Sequence, residues 1–317
     1  MVVLVLGAPW LLAGIGSGRL PVVSGVVAWR NLATAALCGL VLLMAVLGLS
    51  IRWRSVAAGG GAPLAVLAMV GIVVLAGRGF AGGAGQGPDG GQLRVLSWNT
   101  NGGLVDAVTI AQETLVQDAD VLVLPQIADP QYLRLQQLLR TGGYAGLRRI
   151  GAETAVFARV RYQVADQQAF DANPERQLIV RPDGWGGPTI VAVHLDIPFL
   201  PGGNGFWNRQ VDQLAVLCSA ASAQDVVLVG DLNATIDNLA GTGLAACTDA
   251  AVAAGSAGVG TWPSSLPGVL GISIDHVLVH GVHVRSTGFV VLTDQDDSGA
   301  RHRPVLATLT TSTTPYQ

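Results

Sequence analysis

Residues 226–235, with the sequence VVLVGDLNAT, form the segment that most constrains how this chain can fold. Four branched apolar residues in a row predict a short strand buried inside a domain. Asp231 and Asn233 follow, and side chains two residues apart on an extended segment point to the same side. A carboxylate and an amide at one strand end suit a site for a cation and a phosphate. The alternative is a strand end closed by an Asx turn.

The distribution of charge divides the chain into two regions. Residues 1–90 contain five arginines and a single acid, whereas the remaining residues contain 13 arginines and 20 acids. We therefore predict a membrane region at 1–80, a glycine-rich linker at 81–91 and a soluble domain at 92–317, which is long enough to bury a full core. The excess of acids in that domain argues against tight, non-specific binding of nucleic acid, which usually needs a basic surface.

Three apolar stretches precede the linker. They predict about three transmembrane helices, of which the first is short for a span, at residues 2–16, 32–51 and 63–77. A signal peptide followed by a helical hairpin is the alternative. Arg52 and Arg54 lie between the second and third stretches, and clustered positive charge favours the cytoplasmic side for that loop. The positions of Arg19, Arg30 and Arg78 favour the opposite orientation. The predicted orientation gives a multi-pass protein of the cell membrane with an extracytoplasmic soluble domain.

The three cysteines bear on the same question of compartment. Cys38 lies inside an apolar stretch and is predicted to be a buried thiol. Cys218 and Cys247 flank the 226–235 segment, and in an extracytoplasmic domain they could form a disulfide. Two separate buried thiols are an equal alternative for this pair.

Short apolar runs separated by turn residues predict a soluble domain built from many strands and fewer helices. The predicted strands lie at residues 93–98, 120–124, 153–159, 177–182, 189–194, 226–230, 273–279, 288–292 and 305–310. The predicted helices lie at residues 105–118, 132–141 and 207–221, with a broken helix within 239–254. Several neighbouring strands have the spacing of hairpins. This pattern favours two mixed or antiparallel sheets with helices outside them over a doubly wound parallel sheet.

Polar side chains recur where these predicted strands end. In chain order they are Asn99, Gln126, His194 with Asp196, Asp231 with Asn233, Asp275 with His276, and the segment ARHRP at 300–304. Four motifs carry most of them, namely SWNTN, VAVHLDIP, VGDLNAT and SIDHVLV. Over about residues 93–310 this ordered set resembles the endonuclease/exonuclease/phosphatase superfamily, which has the DNase I-like fold. With its N-terminal helices, linker and GTWP segment at 260–263, the chain looks most similar to the membrane-anchored bacterial branch.

The resemblance implies an α/β (α+β) fold, a four-layered αββα sandwich of two mixed sheets preceded by N-terminal transmembrane helices. It also implies hydrolysis of a phosphate-ester substrate with Mg²⁺ or Mn²⁺. The catalytic residues that it implies are His194, Asp231, Asn233, Asp275 and His302. The metal ligands that it implies are Asn99, Gln126 and Asp231. The substrate-binding residues that it implies are Asn99, Asn233 and Arg301.

Each implied role depends on a chemical property of the side chain. His194 would act as a general acid or base, and Asp231 would orient or deprotonate the attacking water. Asn233 would hold a phosphoryl oxygen. His302 would stabilise the negative charge of the transition state, and Asp275 would polarise a histidine or bind the metal.

Two positions depart from the usual pattern of the superfamily. Pro125-Gln126 stands where Gln-Glu is usual, and a neutral amide is a weaker ligand for a hard dication than a carboxylate. ARHRP stands where Ser-Asp-His-Arg-Pro is usual, so that Arg301 replaces an acid. We predict a membrane-anchored, metal-dependent phosphoesterase. The alternatives are a catalytically degenerate member that binds a phosphorylated ligand, lipid headgroup or partner, and an interaction scaffold.

Two other features have open assignments. Glu153 could orient His194, but a solvated acid at a strand start is the preferred interpretation. Residues 199–207, with the sequence FLPGGNGFW, could contact a lipid or a base, but a surface loop that packs its own aromatic residues is preferred there.

Overall fold

The computed structural model describes residues 16–50, 52, 54–83, 91–165, 175–200, 202–219, 222 and 224–312, so nearly all of the predicted first span lies outside the described residues. The strands are β1 (Gln92–Ser97), β2 (Val121–Leu124), β3 (Ala145–Arg148), β4 (Ala155–Ala158), β5 (Tyr162–Val164), β6 (Gln177–Pro182), β7 (Thr189–His194), β8 (Val226–Asp231), β9 (Thr248–Asp249), β10 (Asp275–His280), β11 (Val284–Val291) and β12 (Val305–Thr311). The helices are α1 (Pro21–Ala28), α2 (Arg30–Leu47), α3 (Arg54–Arg78), α4 (Ala107–Val116), α5 (Asp129–Leu139), α6 (Gly203–Ala215), α7 (Ile236–Leu239) and α8 (Ala250–Ala253).

The strands form two mixed sheets of six strands each. The first sheet has the order β11-β12-β1-β2-β4-β3, and the second has the order β5-β6-β7-β8-β10-β9. Each sheet contains a single parallel pair, β1 with β2 and β7 with β8, and the other pairs are antiparallel. The expectation of two mixed sheets is therefore confirmed.

Burial on both faces of each sheet explains why the central strands are continuously apolar. In β8, Val227 and Val229 pack between the two sheets, whereas Val226 and Leu228 pack on the outer side with α6. The outer side of the first sheet packs against α4 and α5 through residues such as Ile110. Burial of each such side chain stabilises the fold by about 1.5–3 kcal/mol. The result is the predicted αββα sandwich.

Two N-terminal helices are long and apolar enough to cross a membrane. The segments are Arg30–Leu47 and Gly59–Arg78, of which 17% and 22% are buried. They pack side by side, with Gly71 facing Thr34 so closely that a Cβ at Gly71 would lie 2.4 Å from Thr34 Oγ1. The third helix of this region, α1, is short and lies against the domain.

The domain ends of these helices are tied to α7 by charge. Arg30 donates two hydrogen bonds of 2.8 Å to Asp237, and Arg78 Nη2 donates one of 2.7 Å to the same carboxylate. All three side chains are largely buried. Burial opposes ionisation of Asp237, but the two arginines outweigh it and hold the pKa of this carboxyl below its ordinary value. The helical region and the sandwich therefore share a buried ionic contact.

The structure decides between a disulfide and two separate thiols for Cys218 and Cys247. Cys218 and Cys247 form a disulfide across a sequence separation of 29 residues, so the interpretation as two separate thiols is wrong. Cys38 is free, as predicted, but is only half-buried because its helix has few neighbours among the described residues.

Candidate active site

The register of the second sheet brings three predicted site residues to one edge. β8 lies between β7 and β10, and Asp231 pairs with His194 on one side and with Asp275 on the other. Close packing of β8 against β7 depends on Gly230, the residue before Asp231, which has a φ of 140° and where a Cβ would lie 2.0 Å from the carbonyl oxygen of Val193. Only glycine fits at that position.

Asp231 is buried, and its carboxylate accepts two hydrogen bonds and lies close to two histidines. Asn99 Nδ2 donates to Asp231 Oδ2 at 2.8 Å, and the backbone N–H of Asn233 donates to Oδ1 at 2.8 Å. His194 Nε2 and His302 Nε2 lie 3.7 and 3.8 Å from Oδ2. One carboxylate oxygen thus faces an amide and two imidazoles.

Each imidazole is oriented by a second carboxylate. His194 Nδ1 donates to Glu153 Oε1 at 3.0 Å, and His302 Nδ1 donates to Asp275 Oδ2 at 3.0 Å. The two acids fix the ring orientations, so both Nε2 atoms are directed toward Asp231. The interpretation of Glu153 as a solvated acid is wrong, because the side chain is held at the site by His194 and Arg176.

Burial and neighbouring charges shift the pKa values of His302, Asp231 and Glu153. Burial opposes protonation of His302, but the charges of Asp275 and Asp231 outweigh it and raise the pKa of His302 to about 9. Burial raises the pKa of the Asp231 carboxyl, an effect that His302 and His194 oppose. Burial also acts to raise the pKa of Glu153, but His194 and Arg176 reverse the shift and lower it. His302 is therefore an imidazolium at neutral pH.

Asn233 and Gln126 both have left-handed backbone conformations, with φ values of 49° and 56°. The side chain of Asn233 is fixed by donation from Nδ2 to the carbonyl oxygen of Leu195 at 2.8 Å, which leaves a second N–H on that nitrogen. Both residues line the cleft beside Asp231. The sequence predicted the residue pair Asp231 and Asn233 at this strand end, and the Asx-turn alternative is present in the same loop.

These side chains form one wall of a cleft of about 330 Å³. The polar lining residues are Asn99, Asn101, Gln126, Arg176, His194, Asp231, Asn233, Arg301 and His302. The apolar lining residues are Ile197, Phe199, Trp262, Ile272 and Ile274. Of the residues predicted for the site, Asp275 alone does not line the cleft, and it reaches the cleft through its contact with His302.

Arg176 is a charged residue of the site that the sequence did not predict. Its guanidinium lies 2.8 Å from Glu153 Oε1 and 2.9 Å from Asp196 Oδ1. The hairpin of β6 and β7 positions it, because the N–H of His194 donates to the carbonyl oxygen of Arg176 at 2.9 Å. The predicted pairing of these two strands was the signal that could have found it.

His276 belongs to the support of the site rather than to the cleft. Its Nδ1 lies 2.7 Å from Asp249 Oδ2, and its Nε2 lies 2.8 Å from the carbonyl oxygen of Ala234. It is buried and connects β10, β9 and the loop that follows β8. Its position next to Asp275 in the sequence follows from strand alternation and not from a shared function.

The oxygen atoms at the site suit a hard divalent cation. Asn99, Gln126 and Asp231 line the cleft with amide and carboxylate side chains, which carry the oxygen ligands that such an ion prefers. Asp231, Asp275 and His302 also have potential ligand atoms within 4.8 Å of one another, and Asp275 Oδ1 is buried without a hydrogen-bond partner among the described residues. Because a hard dication prefers oxygen ligands, the amide and carboxylate side chains fit such an ion better than the imidazole of His302.

An αββα sandwich that gathers acids, amides and histidines at one edge of its sheets defines the DNase I-like class of phosphoester hydrolases. The sequence matches the Endonuclease/Exonuclease/phosphatase family over residues 96–312, and the chain belongs to this family. No curated protein matches the sequence. Members of the superfamily act on phosphoester bonds and typically use divalent metals.

Solved structures share the fold at low sequence identity. A humanised D. rerio TDP2 with 14 mutations is 16% identical, with a TM-score of 0.54 over 69% of this chain and 99% of that one. The catalytic domain of human Nocturnin with a bound sulfate is 17% identical, with a TM-score of 0.51 over 70% and 95% of the two chains. An endonuclease/exonuclease/phosphatase from Beutenbergia cavernae is 18% identical, with a TM-score of 0.50 over 70% and 72%.

Proposed function

We propose that this protein is a membrane-anchored, metal-dependent phosphoesterase whose sandwich domain lies outside the cytoplasm. The observation that carries the proposal is the convergence of two carboxylate-oriented histidines on the buried Asp231. Such a group can activate water and stabilise a phosphoryl group at the same point. Membership of the family supports hydrolysis of a phosphate ester as the reaction.

Each residue then has a chemical task. Asp231 orients the attacking water and accepts its proton, and Asn233 donates its second amide N–H to a phosphoryl oxygen. His302, as an imidazolium, donates a hydrogen bond to the charge that develops on the phosphoryl oxygens. His194 transfers a proton at Nε2, while Glu153 holds its other nitrogen. Arg301 lines the cleft and adds positive charge toward the phosphate.

The proposed cation site consists of Asn99, Gln126 and Asp231, and Mg²⁺ or Mn²⁺ is the ion expected there. When bound, the ion would neutralise phosphate charge and act as a Lewis acid. Asn99 contacts Asp231 through Nδ2, and its Oδ1 accepts from the N–H of Asn101. As a ligand it would have to turn its oxygen toward the ion. Gln126 contributes an oxygen but no charge.

The membrane part of the proposal rests on the two apolar helices and on the disulfide. Both helices have the length of a span and are mostly unburied. The bond between Cys218 and Cys247 is typical of domains in an oxidising compartment. We propose the division into a membrane region at 1–80, a linker at 81–91 and the enzyme domain at 92–317, as in the membrane-anchored bacterial branch of the superfamily.

A second candidate function is binding of a phosphorylated ligand without turnover. Gln126 and Arg301 favour it, because the usual acids at these positions are replaced by a neutral and a positive side chain. Arg301 could then hold a phosphate directly.

One assay separates the two functions. The full-length protein in detergent is incubated with bis-p-nitrophenyl phosphate and with p-nitrophenyl phosphate, in Mg²⁺ or Mn²⁺. We expect metal-dependent release of p-nitrophenol that Asp231→Ala reduces at least about 1,000-fold. The control is Asp212→Ala, which removes an exposed acid on α6. Absence of turnover in folded wild-type protein would favour the ligand-binding function, and full activity of Asp231→Ala would contradict the site assignment.

A further inference from the structure

One wall of the cleft is apolar although the chemistry at the opposite wall is ionic. Ile197 and Phe199 lie on the loop after β7, and Trp262, Ile272 and Ile274 lie on the segment before β10. A small, highly charged phosphate needs none of these side chains. An apolar wall this close to the reacting group indicates that the rest of the substrate has an apolar part.

The apolar wall is shared with the N-terminal helices. Ala28 is packed with Ile272 and Ile274, and the rings of Trp29 and Trp262 meet edge to face with centroids 5.8 Å apart. A Cβ at Gly25 would lie 3.5 Å from Cβ of Phe199. The far side of the wall is thus α1 and the start of α2, so the apolar wall lies where the candidate spans join the domain.

This junction has the character of a membrane–water interface. Trp29 and Arg30 begin α2, Arg78 ends α3, and aromatic and arginine side chains are typical of the ends of spans. Exposed apolar side chains lie on α1 and at its N-cap, namely Leu20, Val22 and Val26, and along the chain from the cleft loop into α6, namely Phe199, Leu200 and Phe206. Of these, Phe199 lines the cleft. The buried contact of Arg30 and Arg78 with Asp237 fixes the domain against the spans.

We propose that the substrate is a phosphoester of a membrane lipid. The polar wall would bind the phosphate, and the apolar wall would receive the first methylenes of a lipid chain that remains in the bilayer. This inference rests on the proposed function. In the reaction, a water oxygen bonds to phosphorus, the bond from phosphorus to one ester oxygen breaks, and the departing oxygen receives a proton. The products of a phosphodiester are an alcohol and a phosphomonoester.

The test uses three p-nitrophenyl phosphodiesters that share one reacting group. Their second ester groups are methyl, hexadecyl and thymidine 5′-yl, and each is assayed with the full-length protein in the same detergent micelles. We expect kcat/KM for the hexadecyl ester to exceed that for the methyl ester by about 10-fold or more, because each buried methylene contributes about fourfold. The thymidine ester tests a nucleic-acid substrate.

Matched variants distinguish two causes of a high hexadecyl-to-methyl ratio, which are binding of the lipid chain in the cleft and simple enrichment of the hexadecyl ester in the micelles. Phe199→Ser should lower the ratio of hexadecyl to methyl turnover about fivefold or more, and Phe199→Leu should retain it. Val282→Ser removes an exposed apolar side chain at the far end of β10 and should leave the ratio unchanged. Because Phe199 is 41% exposed, the serine variant is expected to fold, and a melting temperature close to that of the wild type reports this.

The outcomes distinguish this inference from the proposed function. A wild-type ratio near one, the same ratio in Phe199→Ser and Val282→Ser, or preference for the thymidine ester would overturn the lipid substrate while leaving a working phosphoesterase. Failure to hydrolyse any of the three esters would overturn the proposed function, and the lipid inference with it.

Discussion

At the scale of single residues, Gln126 stands where the resemblance implies a metal-binding glutamate. Its amide lines the cleft beside Asn99 and Asp231, so an oxygen is present where the resemblance implies a carboxylate. A neutral oxygen lacks the charge that attracts a hard dication. We therefore expect the residue at position 126 to affect the affinity for metal and not the fold.

We expect Gln126→Glu to tighten binding of Mn²⁺ by roughly 10- to 100-fold, because it adds a negative charge in contact with the ion. Isothermal titration of the full-length protein measures the change. Gln163→Glu, the same substitution on the exposed side of β5, is the control and should leave affinity unaltered. Equal affinities for all three proteins would mean that position 126 lies outside the metal shell.

Glu153→Gln tests the orientation of His194. The amide keeps the shape of the side chain but removes the charge that holds His194 Nδ1 and Arg176. We expect kcat on bis-p-nitrophenyl phosphate to fall about 10- to 100-fold with KM changed less than about twofold. Glu175→Gln alters an exposed glutamate nearby and should have wild-type kcat. A lower melting temperature with unchanged kcat would assign Glu153 a purely structural role.

The sequence predicted the site residues that follow strands but misjudged those that depend on contact between sheets. Asp231, His194 and Asp275 adjoin one another because β7, β8 and β10 are neighbours, and strand ends signal that arrangement. Glu153 precedes β4 of the first sheet and reaches a histidine on the second. No local sequence pattern indicates how two sheets are superposed. The sequence could therefore name His194 as a possible partner of Glu153 but could not decide for that contact over a solvated acid.

At the scale of elements, apolar central strands were predicted well and polar edge strands were not. The bounds of β6 and β7 agree with the prediction, whereas β3 and β5 were missed because they are short, partly exposed edge strands without an apolar run. The predicted span at 63–77 begins earlier, since α3 continues through the glycines at 59–61. α2 packs beside these glycines, with Met44 at 3.8 Å from a Cβ at Gly61.

Asp237→Asn should weaken the attachment of the helical region to α7. Removing the shared carboxylate leaves Arg30 and Arg78 buried without their partner, which costs about 3–5 kcal/mol. Thermal unfolding of the full-length protein and hydrogen exchange of Ile236–Leu239 measure this loss. The control is Asp212→Asn, which breaks an exposed pair with Arg19 and should change stability by less than about 0.5 kcal/mol. Equal effects of the two variants would contradict a special role for Asp237.

The same ion pair predicts a dependence on pH. The pKa of Asp237 is lower in the folded protein than its ordinary value of 3.8, so its stabilisation is complete above that value. It is lost as the pH falls through the lower, folded pKa. The difference in stability between the wild type and Asp237→Asn should therefore narrow on acidification, and a difference that stayed constant would contradict the shift.

At the scale of the whole molecule, the candidate spans, the cleft and the disulfide point to one arrangement. The apolar wall of the cleft packs against the start of α2, and the disulfide joins the end of the segment after α6 to the segment before β9. If the loop between the two spans lies in the cytoplasm, both domain-side ends and the cleft lie outside, where the disulfide is stable. The topology of the spans thereby determines which lipid leaflet the cleft can reach.

Labelling of engineered cysteines in intact cells tests this topology. In a Cys38→Ser background, Val282→Cys introduces a thiol on the exposed turn after β10, and Ser50→Cys introduces one between the spans. We expect a membrane-impermeant maleimide to label Val282→Cys in intact cells and Ser50→Cys only after permeabilisation. The background protein should remain unlabelled until it is reduced, because Cys218 and Cys247 are bonded to each other. The reverse labelling pattern would place the enzyme domain in the cytoplasm. The cleft would then reach the cytoplasmic leaflet, and the disulfide would not persist in that reducing compartment.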